Sequence, residues 1–197
     1  MDAQKETAII DATLTLLGQI GWPATTLIAI AKQARLPTDE VVSRFPSIWE
    51  ILEAFRERND SCITAGSADS DTPVSLRDRL FDLTMERIEI ISPWKAGINV
   101  IAKQAMVDPV MGIRLYLSLN RSMGNVLAHA GAKGHPCAQL LQSSGLTLIY
   151  LLVLRRWLAD DSEDLGPTMA ELNERLIVAD RTVKQLCSPQ QRHEHSS

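Results

Sequence analysis

The chain has 197 residues, of which 45% are hydrophobic and 22% charged, and its net charge is −4 at pH 7. This length allows one large domain, or a small domain and a larger one, with a substantial core. The charge excludes a general attraction to nucleic acid or acidic membrane, so any DNA contact has to come from a local patch.

Neither the cysteines nor the apolar segments indicate export or membrane insertion. Cys62, Cys137 and Cys187 lack the spacing of a zinc site or a disulfide framework, so we expect reduced thiols in a cytoplasmic protein. The N-terminus has no basic region followed by an apolar run, and a signal peptide is not expected. Residues 146–154 form the most apolar segment, which is shorter than the about 20 residues that span a bilayer.

The first predicted helix covers residues 4–20 and is expected to end at Gly21. Two shorter helical patterns follow, at residues 25–34 and 38–45. Thr25 and Thr38 stand at their expected N-caps, because a hydroxyl can accept an unpaired first-turn N–H. Pro37 cannot continue a helix, so it separates the two. This spacing predicts a helix-turn-helix.

A fourth helix is predicted from Ser47 to about residue 65, because Ser47 and Glu50 have the spacing of a capping box. Residues 64–73 are small and polar and predict a loop. Beyond them, prolines mark five helix starts, since the first helical turn needs no N–H there. These prolines are Pro73, Pro93, Pro109, Pro136 and Pro167. No alternating run indicates a strand, so we predict an all-α fold of about nine helices.

The eighth predicted helix, residues 136–159, is apolar nearly all round in its middle. Such a helix is buried on several sides. The ninth begins with a second capping box, from Thr168 to Glu171. We expect a second subunit to add the same two helices, forming the four-helix interface of a twofold homodimer. The candidate interface residues are Leu148, Leu151, Leu152, Arg155, Leu172, Leu176 and Val183.

Thr25-Thr26, an Ile-Ala pair in the second helix and Phe45-Pro46-Ser47 resemble the N-terminal domain of TetR-type transcriptional regulators. The resemblance implies a ligand-responsive DNA-binding regulator, with a repressor expected. It implies a helix-turn-helix DNA-binding domain over residues 1–47 and a helical effector-binding and dimerisation domain over 48–188. Residues 189–197 are polar and expected to be disordered.

Hydroxyls and helix N-terminal N–H groups suit phosphates, and arginine suits phosphate or guanine. The candidate DNA-binding residues are Thr25, Thr26, Arg35, Thr38, Asp39, Val42, Ser43 and Arg44. The family usually has Gly at the turn, Tyr in the recognition helix and Lys opening the fourth helix. This chain has Arg35, Val42 and Ile48 there. Residues 1–58 contain six basic and eight acidic residues, a charge of −2, whereas DNA-binding domains are usually basic.

The helices that enclose an effector cavity in TetR-like proteins carry several methionines here, and methionine adapts to varied apolar ligands. The resemblance therefore implies a small apolar effector. The candidate pocket residues are Met85, Ile88, Trp94, Ile98, Ile101, Met106, Met111, Met123 and Leu127. No catalytic motif or metal-ligand spacing is visible, so we expect neither an enzyme nor a bound metal or cofactor.

A second hypothesis remains open. The chain also resembles, more loosely, COQ9-type ubiquinone-biosynthesis accessory proteins, which have a TetR-like fold. This resemblance implies a lipid- or isoprenoid-binding protein that has lost DNA binding. The charge of −2 and the missing Tyr and Lys favour it, whereas the helix-turn-helix spacing and the polar tail favour a DNA-binding regulator.

Overall fold

The computed structural model describes residues 3–66, 75–132 and 136–187 of the chain. The predicted all-α class is confirmed, and no strand occurs in these three ranges. Nine α-helices and one 3₁₀ turn, Ser92–Trp94, are formed there. The helices are α1 (Ala3–Ile20), α2 (Leu27–Ala34), α3 (Thr38–Arg44), α4 (Ile48–Gly66), α5 (Leu76–Ile91), α6 (Lys95–Val107), α7 (Pro109–His129), α8 (Pro136–Leu158) and α9 (Gly166–Cys187).

The helix-turn-helix of α2 and α3 packs on α1, with side chains from all three helices in one core. Ile9, Leu17, Ile30, Val41 and Phe45 are buried within it. The caps differ from those predicted. Thr26, one residue after the expected Thr25, caps α2 by accepting from the Ala29 N–H at 3.2 Å. The N-cap of α3 is Pro37, which offers no side-chain bond, and Thr38 is the first helical residue.

The first unit is joined to the remaining helices along α1, which packs against both α4 and α6. On one side, Arg58 of α4 donates a hydrogen bond of 2.8 Å to Asp11 of α1. On the other side, the backbones of α1 and α6 approach each other closely at Gly97. The division into domains at residue 47 stays a prediction, but α1 is in direct contact with helices from both sides of it.

The prolines mark only some of the helix starts. Pro109 is the first residue of α7 and Pro136 the first of α8, as predicted. Pro93 lies in the 3₁₀ turn, so α6 begins later, at Lys95. Pro73 lies outside the described residues, and α5 begins at Leu76 behind Ser75, whose hydroxyl accepts from the Asp78 N–H. Side-chain capping, rather than proline, therefore sets the start of α5.

The turn between α8 and α9 is organised by Asp160. Its carboxylate accepts from the N–H and hydroxyl groups of both Ser162 and Thr168. These bonds stabilise the ionised form and hold the pKa of Asp160 well below its ordinary value. The predicted capping box at Thr168 is therefore wrong, because α9 begins earlier, at Gly166, and Thr168 bonds across the turn to Asp160.

Helices α8 and α9 pack against each other, and α9 also packs against α5. Leu172 and Leu176 of α9 are buried in these contacts. The outer side of the pair keeps large apolar side chains in solvent, at Leu148, Leu152 and Val183. Among the helices described, none combines the length and the apolar character that crossing a membrane requires.

Candidate functional site: a helix-turn-helix connected to a cavity

Helix α3 has one buried face and one exposed face. Val41 lies on the buried face and fixes the helix against α1 and α2. The predicted DNA-contact residues of α3 are all on the exposed side: Thr38, Asp39, Val42, Ser43 and Arg44. This arrangement leaves a continuous surface of one helix free for an external partner.

The predicted residues of α2 and the turn are placed differently from one another. Thr25 is only 4% exposed, and its hydroxyl donates to the Gly21 carbonyl oxygen at 2.8 Å, so it is not presented to a partner. Thr26 is exposed but is occupied as the N-cap of α2. Arg35 is exposed at the C-terminal end of α2 and close in sequence to the start of α3. Of these three residues, Arg35 is therefore the freest to contact an external anion.

Two basic side chains of this unit are held by carboxylates. Arg44 donates through Nε and a terminal nitrogen to Glu6 of α1, at 3.2 and 2.9 Å, and its guanidinium lies 4.7 Å from the centre of the Phe45 ring. Lys5 of α1 contacts Glu40 of α3 at 2.6 Å. These partners are more than 30 residues apart in sequence, so no local pattern could have indicated the pairing.

Arg35 occupies the left-handed region, with φ 56° and ψ 41°, at the position where the resembled family usually has glycine. A side chain in this conformation costs about 1 kcal/mol because Cβ approaches the carbonyl oxygen. We expect Arg35→Gly to be more stable than Arg35→Ala by about 1 kcal/mol, since both remove the charge but only glycine relieves the strain. Urea unfolding of the two variants measures the difference, and equal stability would contradict the strain.

Helix α4 begins four residues after α3 ends and leads away from the helix-turn-helix. One of its faces lines a partly open cavity of about 670 Å³, to which α5, α6, α7 and α8 also contribute. Trp49, Leu52 and Phe55 of α4 lie on the cavity wall, followed by the polar residue Asn59. This volume is typical of cavities that bind small molecules, which range from about 300 to 1,000 Å³.

The cavity coincides with only part of the predicted pocket. Ile98, Ile101 and Met106 line it, as the sequence analysis expected. Trp94 does not, but it packs edge-on against Phe55 of the wall, with ring centres 5.6 Å apart. The other five candidates are buried in the core between helices instead of lining the cavity. They are Met85, Ile88, Met111, Met123 and Leu127.

The contribution of α4 and α8 to this wall was not predicted from the sequence. The polar stripe of α4 consists of Glu53, Arg56 and Asn59, and α8 contributes Tyr150 and Leu154 among others. A signal existed for α4, because Asn59 continues the stripe of Leu52 and Phe55 at helical spacing and places an amide where an apolar residue is expected.

A buried ionic network that joins α4, α5, α7 and α8 lies beside the cavity, and its Arg56, Arg87 and Tyr150 line the wall. Asp60 accepts from Arg87 at 2.5 Å, from Ser122 at 2.5 Å and from Arg56 at 2.7 Å. Arg87 also donates to the hydroxyl of Tyr150 at 3.2 Å. Each charge therefore has an opposite charge beside it, which a buried ion requires.

The pKa values in the network follow from these contacts. Burial alone would raise the pKa of Asp60, but Arg87 and the Ser122 hydroxyl outweigh it and the pKa lies below its ordinary value. Burial raises the pKa of the Tyr150 hydroxyl, although Arg87 opposes this effect. At neutral pH the network therefore consists of an ionised Asp60, a charged Arg87 and a neutral Tyr150.

The predicted dimer residues fall into three groups. Leu148, Leu152 and Val183 are exposed and free to contact a second subunit. Leu151 and Arg155 line the cavity. Leu172 and Leu176 are buried within the subunit, so the structure gives them a place in its own core instead of on an outer surface. Apolarity alone could not separate these groups, because core and interface residues share it.

The architecture is that of an all-α protein with an N-terminal helix-turn-helix and a helical body. No protein-family model matches the chain, and neither does any curated protein sequence. Solved structures do match over most of its length, and they are consistently TetR transcriptional regulators.

A TetR transcriptional regulator from Nitrosomonas europaea has a TM-score of 0.74 and 21% identity, over 89% of this chain and 98% of that one. One from Rhodococcus sp. RHA1 has a TM-score of 0.64 and 13% identity, over 88% and 94%. A putative regulator of this type from Rhodococcus sp. has a TM-score of 0.60 and 16% identity, over 92% and 99%. The chain thus has the fold of TetR-family transcriptional regulators.

Proposed function

We propose that the protein is a DNA-binding transcriptional regulator of the TetR type, acting as a homodimer whose operator affinity changes when a small molecule occupies the cavity. The observation that carries the proposal is the course of α4. It begins immediately after the exposed recognition helix α3, and its Trp49, Leu52, Phe55 and Asn59 form one wall of the cavity. One helix therefore connects the surface for DNA with the site for a ligand.

In a twofold dimer, the two copies of α3 would enter successive major grooves about 34–36 Å apart. The exposed apolar side chains on α8 and α9 suit the dimer contact. A ligand that binds better to one arrangement of α4 would favour that arrangement, and with it one spacing of the recognition helices. The change in operator affinity is limited by the ligand's differential affinity for the two arrangements. A repressor released by an apolar effector is the mode we propose.

The direct test is binding of the purified protein to DNA from its own upstream region, against a scrambled duplex of equal length, over a salt series. Preference for the upstream DNA with a steep fall in affinity as salt rises supports the regulator. No preference at low salt from a folded dimer would contradict it. That result would instead favour the lipid-binding alternative, which the acidic helix-turn-helix supports, and co-purified lipid would then be sought by mass spectrometry.

Arg44 and Glu6 provide a sharper test of the recognition surface. We expect Arg44→Ala to weaken operator binding about tenfold and to reduce the salt slope by about one, because one phosphate or base contact is lost. Glu6→Gln should tighten binding a few-fold, since it releases Arg44 from its ion pair and removes one repulsive charge. Gel-shift titrations measure both constants.

Arg175→Ala is the matched control, because Arg175 also forms an exposed ion pair, with Glu171, but lies on α9. Operator binding by this variant should equal that of the wild type. Unchanged affinity for both Arg44→Ala and Glu6→Gln at moderate salt would rule out a DNA contact by this end of α3.

A further inference from the structure

Asn59 is an unusual residue of the cavity wall. It lies on α4, is only 2% exposed, and its carbonyl oxygen Oδ1 has no hydrogen-bond partner among the described residues. A buried amide without a partner is unfavourable, because it has lost its bonds to water without gaining others. Asn59 lines the cavity, but Oδ1 itself is closed off, so the amide has to turn about χ2 before this oxygen can accept a hydrogen bond from a bound molecule.

Ser118 of α7 gives the wall a second neutral polar group. It is 3% exposed, lines the same cavity, and its hydroxyl forms no hydrogen bond with any residue in the described parts of the chain. A serine in a helix commonly donates to the carbonyl four residues before it, as Ser92 does to Ile88 here. Two neutral groups on facing helices, α4 and α7, are therefore available to one ligand.

The charged groups that α4 and α5 contribute to the wall are already in ion pairs. Arg56 contacts Glu53, Glu57 and Asp60, and Arg87 contacts Asp60. A ligand charge would have to compete with these bonds, and an ion without a partner in a cavity is strongly disfavoured. The interior therefore favours an uncharged molecule over an ionic one.

Two unpaired cations lie on the rim, Lys103 of α6 and Arg155 of α8. Neither forms an ion pair with another described residue, and both are exposed. Exposed charges contribute little to binding in high dielectric and are screened by salt. These two cations therefore add less to the affinity for an anionic ligand than a hydrogen bond to the buried amide adds to the affinity for an uncharged one.

We propose that the cavity binds an uncharged, largely apolar molecule that carries a hydroxyl or amide N–H group, and that Asn59, with its amide turned so that Oδ1 faces the cavity, accepts the hydrogen bond from this group. The apolar side chains around the cavity hold the body of the molecule, and Ser118 is placed to contact its polar end. This inference rests on the proposed function for its biological meaning, since Asn59 lies on the helix that leads to α3.

The probes for the test are three matched molecules: 4-octylphenol, its methyl ether 4-octylanisole, and 4-octylbenzoate. The ether keeps the shape and the apolar area but loses the donor, whereas the benzoate carries a negative charge. Isothermal titration of the full-length protein is expected to show the phenol binding about tenfold more tightly than the ether, the ratio for one hydrogen bond to a buried neutral acceptor. The benzoate should bind more weakly than the phenol.

Asn59→Leu keeps the approximate size of the side chain and removes the acceptor. It should lower phenol affinity to the level of the ether and leave ether affinity unchanged or improved. The variant should fold, because it replaces an unpaired buried amide by an apolar group, and its Tm should equal or exceed that of the wild type. Asn173→Leu is the control, since Asn173 is an exposed residue of α9 that does not line this cavity, and it should keep the preference for the phenol.

Equal binding of phenol and ether by the wild type, or an undiminished preference in Asn59→Leu, would overturn the assignment. Stronger binding of the benzoate that is lost in a Lys103→Ala, Arg155→Ala variant would assign the site to acids instead. A gel shift with each probe separates this inference from the proposed function. If the protein prefers the phenol through Asn59 but does not bind DNA, only the proposed regulatory function is refuted. If a probe releases the protein from DNA equally well in the wild type and in Asn59→Leu, only this inference is refuted.

Discussion

Gly97→Ala is expected to lower the free energy of unfolding by about 3 kcal/mol and to abolish operator binding at ordinary temperatures. A Cβ atom at Gly97 would overlap the carbonyl oxygen of Leu14 in α1, where the backbones of α1 and α6 touch. Overfilling a packed contact costs about 1–3 kcal/mol. The upper end applies because the obstructing atom belongs to a helix backbone, which cannot rotate away as a flexible side chain can.

The consequence reaches the proposed DNA-binding surface because α1 supports α2 and α3. Relieving the overlap requires α1 to move away from α6, which lines the cavity, so the two parts of the molecule would lose their fixed relation. Urea unfolding and a gel shift measure the two effects. The Tm should fall by roughly 6–12 °C, at about 2–4 °C for each kcal/mol in a chain of this size.

Gly145→Ala is the control for this substitution. Gly145 is exposed on α8, and a Cβ atom there meets no other atom within 4 Å. Alanine is the better helix former, so this variant should gain about 0.5–1 kcal/mol. If Gly97→Ala were as stable as Gly145→Ala, the close contact between α1 and α6 would not exist in solution.

Asp60→Asn is expected to lower the free energy of unfolding by about 3 kcal/mol, because it leaves the Arg87 guanidinium, only 3% exposed, without its counter-charge. Removing both charges, as in Asp60→Leu with Arg87→Met, should recover much of the loss, since apolar residues can fill the space of a buried ion pair. Urea denaturation of Asp60→Leu, Arg87→Met and the double variant gives the coupling energy between the two residues.

The pH dependence of this loss has a defined sign. The pKa of Asp60 is lower in the folded protein than its ordinary value, so the stabilisation is complete above the unfolded pKa of about 3.9 and is lost as pH falls through the folded pKa. The difference in urea midpoint between wild type and Asp60→Asn should therefore be constant near neutral pH and shrink below about pH 4.

Glu171→Gln is the matched control for Asp60, because Glu171 forms an ion pair with Arg175 on the surface of α9. Exposed pairs contribute less than about 1 kcal/mol. A loss of similar size in both variants would show that the substitution itself, and not the buried position, causes the effect at Asp60.

Helix periodicity and the break at Pro37 were sufficient to predict the helix-turn-helix, because these signals lie within a few residues of each other. The start of α7 was equally local, since proline and the preceding Asp108 cap act on the same turn. One error arose where a residue farther along the chain competes for the same group. Thr168 has the pattern of an N-cap, but it bonds to Asp160 across a turn, and its position in the helix shifts accordingly.

The residues that line the cavity and those exposed on α8 and α9 were predicted less completely, because the direction of each side chain matters as well as its apolar character. Met106 and Met111 are both apolar residues near the junction of α6 and α7, yet one lines the cavity and the other is buried in the core. Their side chains leave the helix in different directions, and only the packing of neighbouring helices decides what each direction meets. Leu148 and Leu172 differ in the same way, as one is exposed and the other buried.

The sequence by itself determined the all-α class, the helix-turn-helix and the position of most helices, because these depend on contacts within one or two turns. Only the tertiary structure decided that Arg44 is held by Glu6, that Asp60 and Arg87 neutralise each other, and that Asn59 lacks a partner on the cavity wall. Each of these depends on groups brought together from separate helices. Charge pairing and burial are properties of that assembly, and no spacing along the chain encodes them.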